Sequence, residues 1–206
     1  MTPEALRHLS RRCKVMRRLI REHGPCTLTP DPRRSPFESL VRAVAHQQLN
    51  GTAADSILRR FRRLFPKKRF PSAQQLATVS DDALRACGFS RAKIAALRDI
   101  AEKTISGVIP ASRAIKQMSN DEIIARLIEV RGVGRWTVEM MLIFKLGRGD
   151  VFPVDDFGIR NGFRIALGLN ELPRPKELLA YGERWRPYAT TAAWYLWRAA
   201  EGARGK

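Results

Sequence analysis

The stretch that decides the fold is "VRGVGRWTVEMM", which runs from Val130 to Met141. Apolar residues three and four positions apart precede it and continue through it, a spacing that is typical of two α-helices. Gly132 and Gly134 interrupt this pattern, and glycine adopts backbone angles that are closed to other residues. The sequence therefore predicts a helix, a tight hairpin and a second helix over about residues 122–147.

A hairpin of this kind can hold a phosphate of a nucleic-acid backbone. Amide N–H groups at the start of the second helix point outwards, and the helix dipole adds to their attraction for an anion. Neutral amides do not distinguish bases, so such a contact positions the nucleic acid without reading its sequence. The structural alternative is a tight corner between two helices, in which the glycines serve only as helix caps.

Composition narrows the choice of partner. The chain has 206 residues, 44% of them hydrophobic, and 38 Lys and Arg against 20 Asp and Glu give a net charge of +18. This excess of positive charge favours a polyanion, and we expect nucleic acid rather than an acidic membrane surface. A single domain over residues 1–206 is expected.

The lack of a recognisable secretory signal and the pattern of cysteines predict an intracellular protein. The basic opening of the chain lacks the apolar core of a secretory signal, and we expect no membrane span because no run approaches about 18 apolar residues. Cys13, Cys26 and Cys87 are an odd number at wide spacing, which suits a reducing compartment. The expected location is the cytoplasm, in association with the nucleoid if the source is bacterial.

The rest of the chain is predicted to be helical. Apolar residues repeatedly fall three and four apart, and residues that favour helix starts precede several of these runs. The segment 1–28 is predicted to be a basic amphipathic helix. Further helices are expected at about 37–48, from near 72, from near 80, at about 90–106, and after the capping residues 119–122. The fold class is all-α.

Four motifs, in order, carry a resemblance to a known family. They are "LVRAVAHQQLNGTAA" at 40–54, "GFSRAKIAALRDIA" at 88–101, "GVGRWT" at 132–137 with "VFPVDDFGIR" at 151–160, and "ERWRPYATTAAWYLWRAAEG" at 183–202. Together they resemble the helix-hairpin-helix DNA glycosylase superfamily, in particular its alkylbase branch, the DNA-3-methyladenine glycosylases II. The resemblance covers about residues 37–200, so we expect the short form without an N-terminal β domain.

The resemblance implies a fold and a reaction. The family fold is all-α, with two packed helical subdomains and a cleft that receives a base flipped out of bent duplex DNA. The family hydrolyses the N-glycosidic bond of a damaged base. We expect a monomer that acts on double-stranded DNA containing alkylated bases.

The resemblance also bears on cofactors. Relatives with an iron–sulfur cluster carry four closely spaced cysteines near the C terminus, whereas the last cysteine here is Cys87. No metal or organic cofactor is expected in the chemical step. A structural monovalent cation on carbonyl groups of the hairpin is compatible with the family.

Two neighbouring carboxylates follow the hairpin. Cleavage of a glycosidic bond builds positive charge on the sugar, and a carboxylate beside it stabilises that charge and orients or deprotonates the attacking water. The alkylbase branch implies that Asp156 is the catalytic residue. Asp155 is then expected to cap the following helix, although an alignment to related branches would select Asp155 as the catalyst.

Aromatic residues indicate how the damaged base is recognised. Trp136 stands where relatives that also cut the DNA strand carry a lysine, so no Schiff base can form there. A tryptophan face suits an alkylated purine because alkylation makes the base cationic. Trp197 matches a second aromatic residue of the family pocket, and Met140 lies one turn beyond Trp136, where relatives often have an aromatic residue.

Two segments are expected to contact DNA outside the base pocket. The DNA-binding hairpin is predicted to consist of Arg131, Gly132, Val133, Gly134, Arg135 and Thr137. The family uses the loop at 47–50 as a wedge that fills the gap left by the flipped nucleotide. The candidates for this wedge are Gln47, Gln48, Leu49 and Asn50. Gln48 is favoured by position, and the structural alternative is a polar loop with a helix cap.

The sequence therefore predicts a monofunctional DNA glycosylase for alkylated purines of the 3-methyladenine type. Two alternatives stay open at this point. A non-catalytic helix-hairpin-helix DNA-binding protein would keep the basic surface and the hairpin, but would not need Asp156 or Trp136. A related glycosylase for deaminated or oxidised bases would share the whole site.

Overall fold

The computed structural model describes residues 2–49, 51–66 and 68–202. Within these ranges the backbone forms twelve α-helices, joined by loops and two short 3₁₀ turns, and no β-strand. The helices are α1 (Pro3–Arg12), α2 (Lys14–His23), α3 (Pro36–His46), α4 (Gly51–Arg63), α5 (Ala73–Thr78), α6 (Asp81–Ala86), α7 (Arg91–Ile105), α8 (Asn120–Leu127), α9 (Arg135–Phe144), α10 (Phe157–Leu167), α11 (Pro175–Gly182) and α12 (Ala189–Gly202). The predicted all-α class is confirmed. Among the described residues, no helix combines the length and the apolar character needed to cross a membrane.

Serine side chains fix the starts of five helices. Each serine hydroxyl accepts a hydrogen bond from the backbone N–H three residues later, at distances of 3.1 to 3.3 Å. The five residues are Ser35, Ser72, Ser80, Ser90 and Ser119. A side-chain cap satisfies one of the amide groups that a helix leaves unpaired at its start. The helix starts predicted at these positions are therefore confirmed.

The N-terminal segment differs from its prediction. A single helix over 1–28 is wrong, because the structure has two helices, α1 and α2, separated by Cys13 in an extended conformation with φ −149° and ψ 116°. Cys13 is buried, and its Sγ lies 3.7 Å from the hydroxyl of Tyr181. The break lets Leu9 and Met16, on either side of it, enter the same core as Cys13. Tertiary packing therefore overrides the continuous helical pattern of the sequence.

The chain divides into two compact units. Unit 1 contains residues 1–31 and 142–206, and unit 2 contains residues 32–141. The second boundary falls inside α9, between Met141 and Leu142. Unit 1 is thus built from both ends of the chain, and unit 2 from one continuous segment.

The core of unit 1 forms where α10 and α12 pack together with α2. Trp185 and Tyr195 are its largest fully buried side chains. The Tyr195 hydroxyl donates a hydrogen bond to the carbonyl of Gly24 at 2.8 Å. Burial raises the pKa of Tyr195 to about 12, so the phenol stays protonated and keeps this bond.

The core of unit 2 surrounds α7, which packs against α3 and α5. Leu97 and Ile100 of α7 are fully buried, as are Leu40 of α3 and Leu76 of α5. Phe61 of α4 is also fully buried and makes edge contacts with neighbouring phenylalanines. Close packing of its buried face holds α7 rigidly in unit 2. Loops that contact α7 are therefore held in place.

Candidate active site

Asp156 occupies the N-cap position of α10. Its Oδ1 accepts a hydrogen bond from the backbone N–H of Ile159 at 2.8 Å and a second from Nε1 of Trp197 at 2.9 Å. Two donors on one oxygen fix the orientation of the carboxylate. The position at a helix start also places the positive end of the helix dipole beside this side chain.

The capping role expected for Asp155 is wrong. The helix begins at Phe157, so the residue directly before it, Asp156, is the cap. Asp155 lies one residue earlier, and its side chain is exposed. The carboxylate predicted to be catalytic is thus also the one that caps the helix.

Trp197 lies beside this carboxylate and is half-buried on α12. Its ring stacks on Phe144, with ring centroids 5.6 Å apart and planes inclined by 26°. This stacking holds the indole so that its N–H points at Asp156. Phe144 was missed in the sequence, where it has the apolar spacing of an ordinary core residue of α9.

Gly158 makes room for this contact. A Cβ atom at this position would lie 2.9 Å from Cδ1 of Trp197 and 3.0 Å from Oδ1 of Asp156. Both distances are shorter than a side chain normally allows, so only glycine fits without displacing one partner. A glycine in the first turn of a helix was a signal in the sequence that the prediction did not use.

The predicted helix-hairpin-helix motif consists of α8 and α9, with the hairpin at residues 128–134. Gly132 has φ +76°, the left-handed conformation that favours glycine, and a Cβ there would approach Cβ of Ala96 to 3.1 Å. At Gly134, by contrast, a Cβ would meet open space. The turn therefore requires one of the two glycines, and the other leaves the start of α9 open.

The predicted hairpin residues fall into two groups. Arg131, Gly132, Gly134 and Arg135 are exposed, whereas the side chains of Val133 and Thr137 are buried. For Val133 and Thr137, a DNA contact would therefore have to come from the main chain. Arg135 is also paired within α9, because its Nε lies 2.9 Å from Oε1 of the buried Glu139.

Polar side chains from elsewhere in unit 2 hold the hairpin. Oδ2 of Asp99 accepts hydrogen bonds from the backbone N–H of Arg131 at 2.6 Å and from Nζ of Lys103 at 2.9 Å. Burial opposes ionisation of Asp99, but these two hydrogen bonds and the positive charges of Lys103 and Arg131 outweigh it and lower the pKa of the carboxyl group. Asp99 is therefore charged at neutral pH.

Two carbonyl groups of the hairpin accept hydrogen bonds from side chains. Nζ of Lys103 donates to the carbonyl of Glu129, and Nε2 of Gln47 donates to the carbonyl of Gly132 at 2.7 Å. A carbonyl oxygen has two lone pairs, so these bonds still leave capacity for a cation. The structural cation at the hairpin stays a prediction.

Trp136 and Met140 lie one turn apart on α9. The side chain of Trp136 is 48% exposed, and Met140 is half-buried. An exposed tryptophan in the first turn of a helix offers a flat apolar face to a ligand. The roles of Trp136 and Met140 in the base pocket stay predictions.

The predicted wedge loop follows α3. Gln48 is exposed and has φ +57°, an uncommon conformation for a residue other than glycine, and Leu49 is 41% exposed. Gln47 differs from both because its side chain bonds to the hairpin. Asn50 lies outside the described residues.

Comparison with known proteins identifies the family. Residues 41–187 match the HhH-GPD superfamily of base excision DNA repair proteins. The chain belongs to this superfamily.

Individual members of the superfamily are similar over most of their length. DNA-3-methyladenine glycosylase 1 of Schizosaccharomyces pombe is 45% identical over 82% of this chain and 74% of its own. The alkylbase DNA glycosidase-like protein mag2 of the same yeast is 36% identical over 94% of this chain and 92% of its own. A solved structure of the S. pombe 3-methyladenine DNA glycosylase Mag1 with abasic DNA superimposes with a TM-score of 0.84, at 42% identity over 96% of this chain and 97% of the other.

The HhH-GPD match covers some of the site residues and not others. It spans the loop after α3, the hairpin and Asp156, but ends before Trp197.

Among the described residues, no three or more His, Cys, Asp or Glu side chains are grouped so that they could hold a metal ion.

Proposed function

We propose that the protein is a monofunctional DNA glycosylase of the DNA-3-methyladenine glycosylase II type. It flips an alkylated purine out of duplex DNA and hydrolyses the N-glycosidic bond, leaving an abasic site. The observation that carries this proposal is the carboxylate of Asp156, which two hydrogen bonds on Oδ1 hold at the start of α10. The similarity to named 3-methyladenine glycosylases supports the choice of substrate class.

The proposed reaction depends on the charge of Asp156. The bond between C1′ of the sugar and the purine nitrogen breaks, and its electron pair leaves with the base. Positive charge then develops on the sugar, and a fixed carboxylate stabilises it without reorganisation during the reaction. The oxygen of a water molecule bonds to C1′ and loses a proton, to Asp156 or to solvent. No metal or organic cofactor is needed in this scheme.

Trp136 is proposed to select the base. Alkylation of a ring nitrogen gives the purine a positive charge, and the face of an indole attracts a cation while it also stacks on the ring. An unmodified purine gains only the stacking. We assign Met140 a supporting apolar contact, and we assign Trp197 to Asp156, whose orientation it holds.

The remaining proposed contacts are to the DNA backbone and the duplex gap. The exposed amides near Gly134 hold a phosphate, and Gln48 and Leu49 are the described candidates for the side chain that fills the gap. The protein acts as a monomer on double-stranded DNA. In a bacterial cell this work takes place in the cytoplasm, at the nucleoid.

The proposal is tested with duplex DNA treated with a methylating agent. The protein should release 3-methyladenine, identified by chromatography, and Asp156→Asn should release almost none under the same conditions. DNA binding without release of any modified base would instead identify a non-catalytic binding protein. Release confined to deaminated or oxidised bases would show that the proposed substrate class, alkylated purines, is wrong.

A second experiment tests the monofunctional assignment. A glycosylase that cuts the strand forms a Schiff base between an amine and the sugar, and borohydride traps this adduct. With Trp136 at the position of the family lysine, we expect no trapped protein–DNA adduct, and strand breaks only after alkali or heat. A trapped adduct would contradict the assignment.

A further inference from the structure

One face of α7 contacts the hairpin and the C-terminal end of α3, which leads into the loop at 47–50. Lys93, Ala96, Asp99 and Lys103 are spaced three or four residues apart, so they lie on one side of the helix. Nζ of Lys93 donates to the carbonyl of Ala45 at 2.8 Å, near the end of α3 and the loop that follows it. The other three residues contact the hairpin.

The hairpin depends on these contacts because its backbone leaves the regular helical pattern. Gly132 has a left-handed conformation, and its backbone packs against the methyl group of Ala96. Amide and carbonyl groups in such a turn must find partners outside the helices. Asp99 supplies the acceptor for Arg131, and Gln47 supplies the donor for Gly132.

We propose that Asp99 and Gln47 are positioning residues that hold the hairpin in its DNA-binding conformation. Through the same hydrogen bond, Gln47 also connects the hairpin to the loop at 47–50. Gln47 therefore connects the two segments, and the residue that inserts into the DNA duplex is one of its neighbours in the loop. The inference rests on the proposed function only in taking DNA as the ligand of the hairpin.

The change in DNA affinity when Asp99 is removed has one sign if Asp99 positions the hairpin and the opposite sign if Asp99 acts only through its charge. Asp99 carries a negative charge next to a surface that is proposed to bind phosphates. Removal of a negative charge from a DNA-binding surface strengthens binding when only long-range electrostatics acts. A positioning role predicts the opposite, since loss of the carboxylate removes the acceptor of the Arg131 amide and one of the two acceptors of the Lys103 ammonium group.

The experiment measures the Kd for undamaged duplex DNA and, separately, the single-turnover excision rate at saturating protein on methylated duplex. Asp99→Ala and Gln47→Ala should each raise the Kd about tenfold, the scale of one lost hydrogen bond in a polar site. For Asp99→Ala, the excision rate at saturation should stay close to that of the wild type, because Asp156 is untouched. Asp99→Asn should recover part of the affinity, since the amide oxygen still accepts from Arg131.

Two control variants match these changes. Glu102→Ala removes a negative charge from an exposed position one turn further along α7, and Gln74→Ala removes an exposed glutamine of α5. Glu102→Ala should leave the Kd unchanged or lower it, and Gln74→Ala should leave it unchanged. Melting temperatures of all variants show whether Asp99→Ala is folded, and Asp99→Asn with Gln47→Ala decides the matter if it is not.

An unchanged or lowered Kd in both Gln47→Ala and the folded Asp99 variant would overturn the inference. A loss of excision rate at saturation in the folded Asp99 variant, without a change in its Kd, would overturn it as well. The binding measurement uses undamaged DNA, so it does not depend on catalysis. A wild-type protein that binds duplex but excises nothing would refute the proposed function and leave this comparison intact.

Discussion

Asp156 combines two tasks at one oxygen, since Oδ1 caps α10 and accepts the indole N–H of Trp197. Asparagine at this position keeps an oxygen in the same place and is as good an N-cap as aspartate, but it carries no charge. Asp156→Asn should therefore lower the single-turnover excision rate by about two to three orders of magnitude. DNA affinity and melting temperature should stay near the wild-type values.

Asp155→Asn is the matched control for this change. Asp155 is exposed and is not the cap, so we expect little effect on the excision rate or on the melting temperature. A larger rate loss in Asp155→Asn than in Asp156→Asn would show that Asp155, and not Asp156, is the catalytic carboxylate.

Trp197 offers a second test at the scale of single residues. Trp197→Phe keeps a ring that can stack on Phe144 but removes the N–H that holds Asp156. Loss of a hydrogen bond to a charged group costs about 1.5–3 kcal/mol, so excision should slow by about tenfold or more, with unchanged DNA affinity. Trp194→Phe, on the same helix, should leave the excision rate unchanged, and an equal loss in both variants would contradict this role for Trp197.

Single residues were predicted unevenly from the sequence. The motif around Asp155 and Asp156 identifies the acidic pair, but the cap depends on which residue begins α10, and helix ends are uncertain by one or two residues in sequence. The bond between Trp197 and Asp156 joins residues 41 positions apart. Such a contact depends on how α10 and α12 pack, which a pattern of spacing does not contain.

The capping box at the start of α8 permits a test at the scale of one element. Ser119 accepts a hydrogen bond from the N–H of Glu122 at 3.2 Å, and the Glu122 carboxylate accepts one from the N–H of Ser119 at 2.6 Å. Ser119→Ala should lower the free energy of unfolding by about 1 kcal/mol. Urea denaturation measures this change.

Ser106→Ala is the control for the cap. Ser106 is exposed at the C-terminal end of α7, where its backbone N–H makes the capping bonds. A surface substitution of this kind changes stability by less than about 0.5 kcal/mol. Equal effects of the two variants would show that the Ser119 cap contributes nothing to the stability of α8.

Helix starts were more predictable than helix breaks. A serine followed by an apolar run is a local signal, and the structure confirms it at five positions. The break at Cys13 has no local signal, because the apolar spacing runs through it without interruption. It follows from the packing of Leu9, Cys13 and Met16 in one core, which becomes visible only in the folded unit.

The net charge of +18 sets the behaviour of the whole molecule towards DNA. Binding by Lys and Arg releases counterions from DNA, so log K should fall linearly with log salt, with a slope of about −0.9 for each phosphate neutralised. Titration of undamaged duplex at several salt concentrations measures this slope. A flat line would mean that the charge serves a partner other than DNA.

The two-unit organisation has a consequence for synthesis on the ribosome. Unit 2 is one continuous segment, residues 32–141, and all of it emerges before the second half of unit 1 has been translated. Domains generally fold as the chain emerges, so unit 2 can acquire its core first. The helices α1 and α2 must wait for α10 and α12, with Leu9 and Met16 uncovered in the meantime. The segment that contains α1 and α2 is therefore the part of the nascent chain most exposed to aggregation and to chaperones.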